Sequence, residues 1–402
     1  MRPILSVAIP THNRSQYAIS SIKSILSIDD PRLQLVVSDT STDGKLRALL
    51  ENTSLLLDSR FKYLHHNVKL DMTGNHNAAI SAAEGEYVCL IGDDDTVSKE
   101  CIEAVEWALG NNVEIISPNV VSNYVWPDFK HRFFGSGHAS RLYFSKKMGA
   151  FEVRESKTAL LNALSNAAQG TDGLPKIYHG LVKRSLLERI YHLSGAYFHG
   201  SSPDVSGAVG LALVSKNFLV IDYPLTVPGA AGGSNTGRSA MNTHKGKLDK
   251  EEQTKGFGAG GWSLGVPRFF SVETVWAHAA LETLKKIDPD KVESFNFARL
   301  IGICRVMHPD YIFEIDGAQS EIQQNLVASD FERQVSVEYK GYRRSRLIGL
   351  LKRAMTPTVS GGRPFVSDIN SVAEVPEALY SYLKVRGLSW GAVINSADIS
   401  LG

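Results

Sequence analysis

The sequence predicts an α/β protein with a mostly parallel central sheet flanked by helices, and a smaller, mainly α-helical C-terminal region. Three observations predict it. Short apolar runs alternate with segments of helical period through roughly the first 120 residues. Polar and acidic residues cluster where those apolar runs end. Helical spacing then returns after Trp262 without further strand-like runs.

In order, strands are expected over 5–9, 33–37, 61–64, 87–91 and 114–117. Between them lie helices over 16–28, 45–57, 75–83 and 99–109, the first with Ile19, Ile22, Ile25 and Leu26 on one side. Repeated β-α order of this kind builds a parallel sheet covered on both faces. Ligands bind such sheets beyond the carboxyl ends of the strands. Asp39, the triplet Asp93, Asp94 and Asp95, and the loop of Thr11, His12, Asn13 and Arg14 all fall there.

Residues 1–118 therefore form one half of the α/β domain, and 119–228 a less regular second half with a helix over 157–168, a strand over 177–182, a short helix over 185–191 and a strand over 218–223. Residues 229–261 contain nine glycines and read as a flexible basic loop or linker. Apolar spacing over 272–284 and 295–306 supports a helical region over 262–402.

Composition narrows the function classes. Lys and Arg number 43 against 42 for Asp and Glu, so no global field draws in nucleic acid. Cys89, Cys101 and Cys304 are odd in number and lack metal-ligand spacing, which favours buried thiols in a reducing, cytoplasmic setting. No apolar stretch is long enough to span a membrane.

The triplet Asp93-Asp94-Asp95 directly follows an apolar strand. Carboxylates this close repel one another in a low-dielectric site, and a shared cation relieves the repulsion. Mg2+ or Mn2+ fits, because such ions take one or two carboxylates and fill the remaining positions with water and substrate phosphates. The competing reading is a solvated turn that caps the next helix. The first strand is not followed by G-x-G-x-x-G, nor does the chain contain G-x-x-x-x-G-K-[ST]. A dinucleotide fingerprint and a P-loop are thus excluded.

Four ordered segments carry a resemblance. Ser6-Val7-Ala8-Ile9-Pro10-Thr11-His12-Asn13-Arg14, Val36-Val37-Ser38-Asp39-Thr40-Ser41-Thr42-Asp43-Gly44, Gly74-Asn75-His76-Asn77-Ala78-Ala79 and Glu84-Gly85-Glu86-Tyr87-Val88-Cys89-Leu90-Ile91-Gly92-Asp93-Asp94-Asp95 resemble the successive signatures of family 2 glycosyltransferases with the GT-A fold. The resemblance implies a nucleotide-diphosphate sugar donor, a UDP-sugar first, and an Mn2+ or Mg2+ cofactor. It makes 1–118 the nucleotide-sugar-binding half and 119–228 the acceptor-binding half. Pro10, Thr11, Asn13 and Arg14 would line the nucleoside side, Asp39 would contact base or ribose, and Asn77 would belong to the donor site. Asp94 matches the principal metal-binding aspartate, with Asp93 or Asp95 assisting. Gly92 stands where many relatives carry the first aspartate of the motif. Read from residues alone, Asn13 also suits a cap for the helix starting near Ser15, and Asp39 an Asx-turn with Ser41.

Inverting glycosyl transfer needs a base for the acceptor hydroxyl. Asp204, in Gly200-Ser201-Ser202-Pro203-Asp204, opens a helical stretch and resembles the base-carrying segment of a bacterial subgroup of the family; helix capping is its other reading. Asp172 and Asp222 are weaker candidates. The segment 229–250 resembles a donor-side lid from which Arg238, His244, Lys245 and Lys247 would reach the diphosphate, His244 also as a metal ligand; a solvated basic loop is the alternative.

Two further stretches concern partners. Residues 342–353 mix basic and apolar residues at helical spacing, either for peripheral contact with an anionic membrane or for packing on the protein itself. Trp126, Phe129, Phe133, Phe134, Tyr143 and Phe144 form either a sugar-stacking wall or core. The expected activity is metal-dependent, inverting transfer of a sugar to a hydroxyl of a glycan or lipid-linked glycan, in bacterial surface polysaccharide synthesis. A nucleotidyltransferase and a non-catalytic nucleotide-sugar-binding scaffold are the alternatives.

Overall fold

The computed structural model describes residues 2–68, 70–241, 245–257, 260–325, 330–355 and 358–395. The first two strands are buried on both faces and largely apolar, as strands covered by helices must be. β1 (Leu5–Thr11) and β2 (Leu33–Asp39) are buried along their entire length. β3 (Phe61–His65) and β4 (Tyr87–Leu90) complete a parallel set, with α1 (Ser15–Leu26), α2 (Lys45–Glu51) and α3 (Met72–Ser81) between them. The register sets Pro10 beside Ser38 and Thr11 beside Asp39, so the polar strand ends are level.

After β5 (Thr96–Val97) and α4 (Glu100–Gly110) come β6 (Ile115–Pro118), β7 (Ser122–Val125), β8 (Arg141–Phe144), β9 (Phe151–Glu155) and α5 (Ser156–Ser165). β10 (Leu181–Lys183), α6 (Arg184–Ser194), α7 (Pro203–Val214) and β11 (Asn217–Ile221) follow. The central sheet has the order β3-β2-β1-β4-β10-β6-β11-β9. Only β10 and β9 run against the rest, which makes the sheet mostly parallel and flanked by helices, as expected.

Some elements differ from expectation for local reasons. The helix expected over 45–57 stops at Glu51, because the Asn52 and Thr53 side chains fold back onto the carbonyls of Ala48 and Leu50. The helix expected to 168 ends at Ser165, before Ala167 and Ala168 turn to positive φ. The strand expected over 177–182 shrinks to Leu181–Lys183, since His179 sits at φ 63° and breaks the extended run.

The rest of the chain adds β12 (Thr226–Val227), β13 (Gly229–Ala230), α8 (Asn235–Ala240), β14 (Lys245–Gly246) and β15 (Phe270–Ser271). Helices α9 (Val272–Ile287), α10 (Phe297–Met307), α11 (Ile312–Asn325) and α12 (Phe331–Ala354) form the helical C-terminal region, followed by β16 (Phe365–Val366), α13 (Val375–Val385) and α14 (Trp390–Asn395). Helices α9 to α12 pack with α5 and α7 around Leu281, Leu284, Leu300 and Ile301. The last segment instead returns to the first half. There β16 pairs with β8, and Val372, Val375, Leu379, Leu383, Trp390 and Val393 join the same core as β1, β2 and α1. Ser24 Oγ donates to the Val372 carbonyl at 3.4 Å, Tyr124 Oη to that of Ile369 at 3.0 Å, and Phe144 stacks on Tyr382 at 3.5 Å. All three cysteines are free and buried. Among the described residues no helix is long and apolar enough to cross a membrane.

Candidate functional site at the carboxyl edge of the sheet

Leaving β4, the chain turns at Gly92, and the three aspartates enter a crevice roofed by the segment around β13. All three are buried. Asp93 accepts a hydrogen bond from Thr11 Oγ1 at 2.7 Å and lies 2.9 Å from Arg14 Nε. Asp94 lies 3.2 Å from Arg14 Nη2 and accepts the Ala231 N–H at 3.2 Å, both at Oδ2. The described residues offer Asp94 Oδ1 no hydrogen-bond donor. Arg14 also donates to the Gly233 carbonyl at 3.1 Å and lies over the Tyr17 ring at 4.8 Å.

Asp95 differs from its neighbours. Its Oδ2 receives the Gly92 N–H at 2.6 Å and the Tyr178 hydroxyl at 3.2 Å and lies 3.2 Å from His179 Nε2, while Oδ1 receives the Gly229 N–H at 2.6 Å. Both oxygens are bonded to the protein, so Asp95 ties the strand end to the roof. Two glycines mark the tight fit. A Cβ at Gly229 would lie 1.9 Å from the Asp94 carbonyl oxygen, and one at Gly92 would lie 2.6 Å from the Tyr178 hydroxyl. Tyr178 thus occupies the space that a larger residue at position 92 would need.

The electrostatics follow this division. Burial, then the charge of Asp95, pushes the Asp94 carboxyl up to about 8. Burial also raises Asp93, with Arg14 and Thr11 opposing. Burial pushes Asp95 the same way, yet His179 and the backbone N–H groups outweigh it and hold Asp95 below its ordinary value. Burial disfavours the Arg14 cation, and Asp93 and Asp94 more than restore it.

Asp204 opens α7 after Pro203, where its carboxylate accepts from the Ser202 hydroxyl. Its surface is not sealed, but protein surrounds it closely enough for burial to raise its pKa. Tyr178, which donates to Asp95, also lies within electrostatic reach of Asp204. The phenol is held well above its ordinary value by burial first, and then by the charges of Asp95, Asp94, Asp204 and Asp93. The charges of Asp204 and of the triplet thus all reach this phenol.

The other expected donor residues divide. Asp39 is buried; it accepts the Ser41 N–H at 2.7 Å, the Asx-turn, and the Tyr63 hydroxyl at 2.7 Å. Asn13, at φ 54°, does not cap α1 but binds the neighbouring loop, accepting the Thr42 N–H at 3.0 Å. Pro10 lies in β1 beside these residues. Asn77 is corrected: its amide oxygen takes the N–H groups of Tyr197 and Phe198, and its amide nitrogen donates to the carbonyls of Thr73 and Phe198. It pins the segment leading to Asp204 and has no capacity left for a ligand. Arg238 is paired with Glu251 at 3.0 Å and Lys245 with Asp310 at 3.1 Å, so neither reaches into the crevice as expected. His244 lies outside the described residues. Asp172 is exposed beside Lys176, and Asp222 accepts from the Asn119 amide, which leaves neither in the site.

Several residues at the site had no sequence signal. Tyr178 and His179 were read as strand residues, and only contact reveals their role. Asp128 accepts from the Tyr17 hydroxyl and from the Gly232 N–H at 3.2 Å; the Trp126 indole donates to the Asp94 carbonyl at 3.0 Å. Of the aromatic set, Trp126, Phe129, Tyr143 and Phe144 are buried, the core reading, whereas Phe133 is 77% exposed.

A divalent cation fits here only in an open form. Among the described residues no three His, Cys, Asp or Glu side chains stand as a ready metal cage. Asp94 alone offers an open carboxylate oxygen, next to Asp93, which suits an ion that keeps waters and phosphate oxygens as its other ligands.

Fold and site define an α/β domain with a polar crevice at the carboxyl edge of a mostly parallel sheet and buried carboxylates at its floor. Residues 6–155 match the model of Glycosyl transferase family 2, and this stretch of the chain is a domain of that family. A putative colanic acid biosynthesis glycosyl transferase, WcaA, of Escherichia coli is 37% identical over 94 residues, covering 23% of this chain and 33% of that protein. A GalNAc(5)-diNAcBac-PP-undecaprenol beta-1,3-glucosyltransferase of Campylobacter jejuni is also 37% identical over 94 residues, covering 23% and 30%. The chain thus matches about a third of the length of these curated relatives. The crystal structure of S. aureus TarS 1-349 in complex with UDP-GlcNAc aligns over 86% of this chain and 92% of that one, with 14% identity and a TM-score of 0.44.

Proposed function

We propose that this chain is an inverting glycosyltransferase that moves a sugar from a nucleotide-diphosphate donor, a UDP-sugar first, to a hydroxyl of a glycan or lipid-linked glycan in bacterial surface polysaccharide synthesis. One observation carries the reading: Asp93 and Asp94 stand buried at the carboxyl edge of the sheet with Arg14 as their counter-ion, within electrostatic reach of the same Tyr178 phenol that Asp204 acts on. The family match and the names of the relatives support it, and one of those names contains an undecaprenol-linked glycan.

In this reading Mn2+ or Mg2+ is held by Asp94 Oδ1 with help from Asp93, and when bound it stabilises the charge on the departing diphosphate. Arg14, which stands beside both carboxylates, would pair with the same diphosphate, since a guanidinium binds phosphate oxygens in a bidentate way. Thr11 and Asn13 border the nucleoside side, and Asp39 stands level with Thr11 for base or ribose. Asp204 takes the proton of the acceptor hydroxyl, and its raised pKa makes it the stronger base. The roof from Gly229 to Gly233 keeps water from the donor.

The test incubates purified full-length protein with a panel of nucleotide sugars, with Mn2+ or with chelator. Release of free nucleotide diphosphate that needs the metal supports the reading. Formation of nucleoside triphosphate and sugar 1-phosphate when pyrophosphate is added instead points to a nucleotidyltransferase, and donor binding without turnover on any acceptor points to a scaffold.

A further inference from the structure

The end of α12 lies away from the core that its beginning joins. Phe331 and Val335 are buried against α10, yet residues 343–353 are all exposed. Packing on the protein therefore does not account for this stretch. Leu347 is 58% exposed, Leu350 61%, Leu351 60% and Met355 75%.

At about 100° per residue, Leu347, Ile348, Leu350, Leu351 and Met355 share one side of the helix within an arc of roughly 160°. Lys352 borders that arc on one edge, and Arg346 and Arg353 border it on the other. Between 343 and 355 the sequence has five basic residues and no acidic one. A second element extends the surface. Arg353 lies over the Phe134 ring at 5.3 Å, which brings the loop after Trp126 against the helix end. That loop presents Phe133, 77% exposed, with the Arg132 guanidinium 5.3 Å from its ring centre and Lys130 close by in sequence.

We infer that the end of α12 and the Phe133 loop form one docking surface for an anionic bilayer. Charge selects this occupant: an apolar face rimmed only by cations suits anionic headgroups over acyl chains, and its own repulsion opposes pairing with a second copy. Place agrees with charge. The Phe133 loop continues from Trp126 and Asp128, which contact Asp94 and the roof, so docking would bring the crevice close to the membrane surface. Vesicle binding can be read without donor or acceptor, so its failure is distinct from failure of the proposed activity.

The experiment floats full-length protein with phosphatidylglycerol-containing vesicles and, separately, with phosphatidylcholine vesicles. Flotation is expected only with the former, weakening as salt rises. The double variant R346E/K352E is expected to lower binding about tenfold or more, and L347Q/L351Q and F133S to lower it as well. Unfolding temperature and donor hydrolysis in solution should stay at wild-type values, because every changed side chain is exposed and outside the crevice. Equal binding to both vesicle types, or variants that float like the wild type, overturns the inference. So does a lipid-free oligomer that L347Q/L351Q dissolves, which would assign the face to a second copy.

Discussion

The two sides of the crevice are built by different means. On the side of β1, β2 and β4, each polar residue sits at the end of a buried strand, and neighbouring strand ends are held level by main-chain pairing. On the side of Tyr178, His179 and Asp204, the residues come from an irregular segment and a helix start, fixed by individual side-chain bonds to Asp95, Asn77 and Ser202. The first side is a ready-made binding edge. The second brings together segments far apart in sequence, which in the proposed reading suits the placement of a base against an acceptor. The Asp triplet spans both: Asp93 and Asp94 belong to the binding edge, and Asp95 clamps the assembled side to it.

This contrast breaks if substitutions on the two sides have the same consequence. The largest effect is expected for Asp94→Asn, which should lower kcat/KM about 10^3-fold and abolish the response to Mn2+, as removal of metal stabilisation is worth several kcal/mol. Steady-state kinetics with and without the metal check it. Asp204→Asn should lower kcat by at least about 10^2-fold while donor affinity, read by calorimetry, stays near wild type. If Asp204→Asn loses donor binding instead, the two sides are not separable in the way described. Tyr178→Phe sharpens the comparison further. It removes one of several donors to Asp95, and a loss of about tenfold or less in kcat is expected with little change in fold stability.

Acidity offers a weaker test of the binding edge. Asp94 is raised to about 8 by burial and by Asp95, so its ionisation works against the folded state. In metal-free protein this contribution is fully present below the ordinary carboxyl range near 4 and is lost as pH rises through about 8. Asp95 has the opposite sign, and its contribution is lost as pH falls below the ordinary range. Unfolding temperatures of metal-free protein should therefore fall from mildly acidic pH up to about 8 and level off above it. Asp94→Asn should flatten that slope, as should added Mn2+. A slope unchanged in the variant would place its origin elsewhere.

The same asymmetry explains what could be read from the sequence. The strands of the first half were legible because apolar runs and level polar ends are local patterns, and Asp39, Asp94 and Arg14 are where those patterns put them. Asp204 was legible through Pro203 and its helix. His179 was not, because a backbone turn to positive φ within an apolar stretch leaves no periodic trace. The bonds of Asn77 and Asp95 were not legible for a related reason: residue type gives a side chain's capacity for bonds, whereas only the fold decides which groups use that capacity.

The return of the last segment to β8 and α1 has a consequence for how the molecule is made. The bonds from Ser24 to Val372 and from Tyr124 to Ile369 span 348 and 245 residues of chain. The stretch that matches the family model emerges from the ribosome long before the helices that complete its core. Until then its surface near α1 and α4 stays open, and the slow closure of such distant contacts sets the pace of folding. Excision of residues 6–155 as an independent domain would expose that surface permanently.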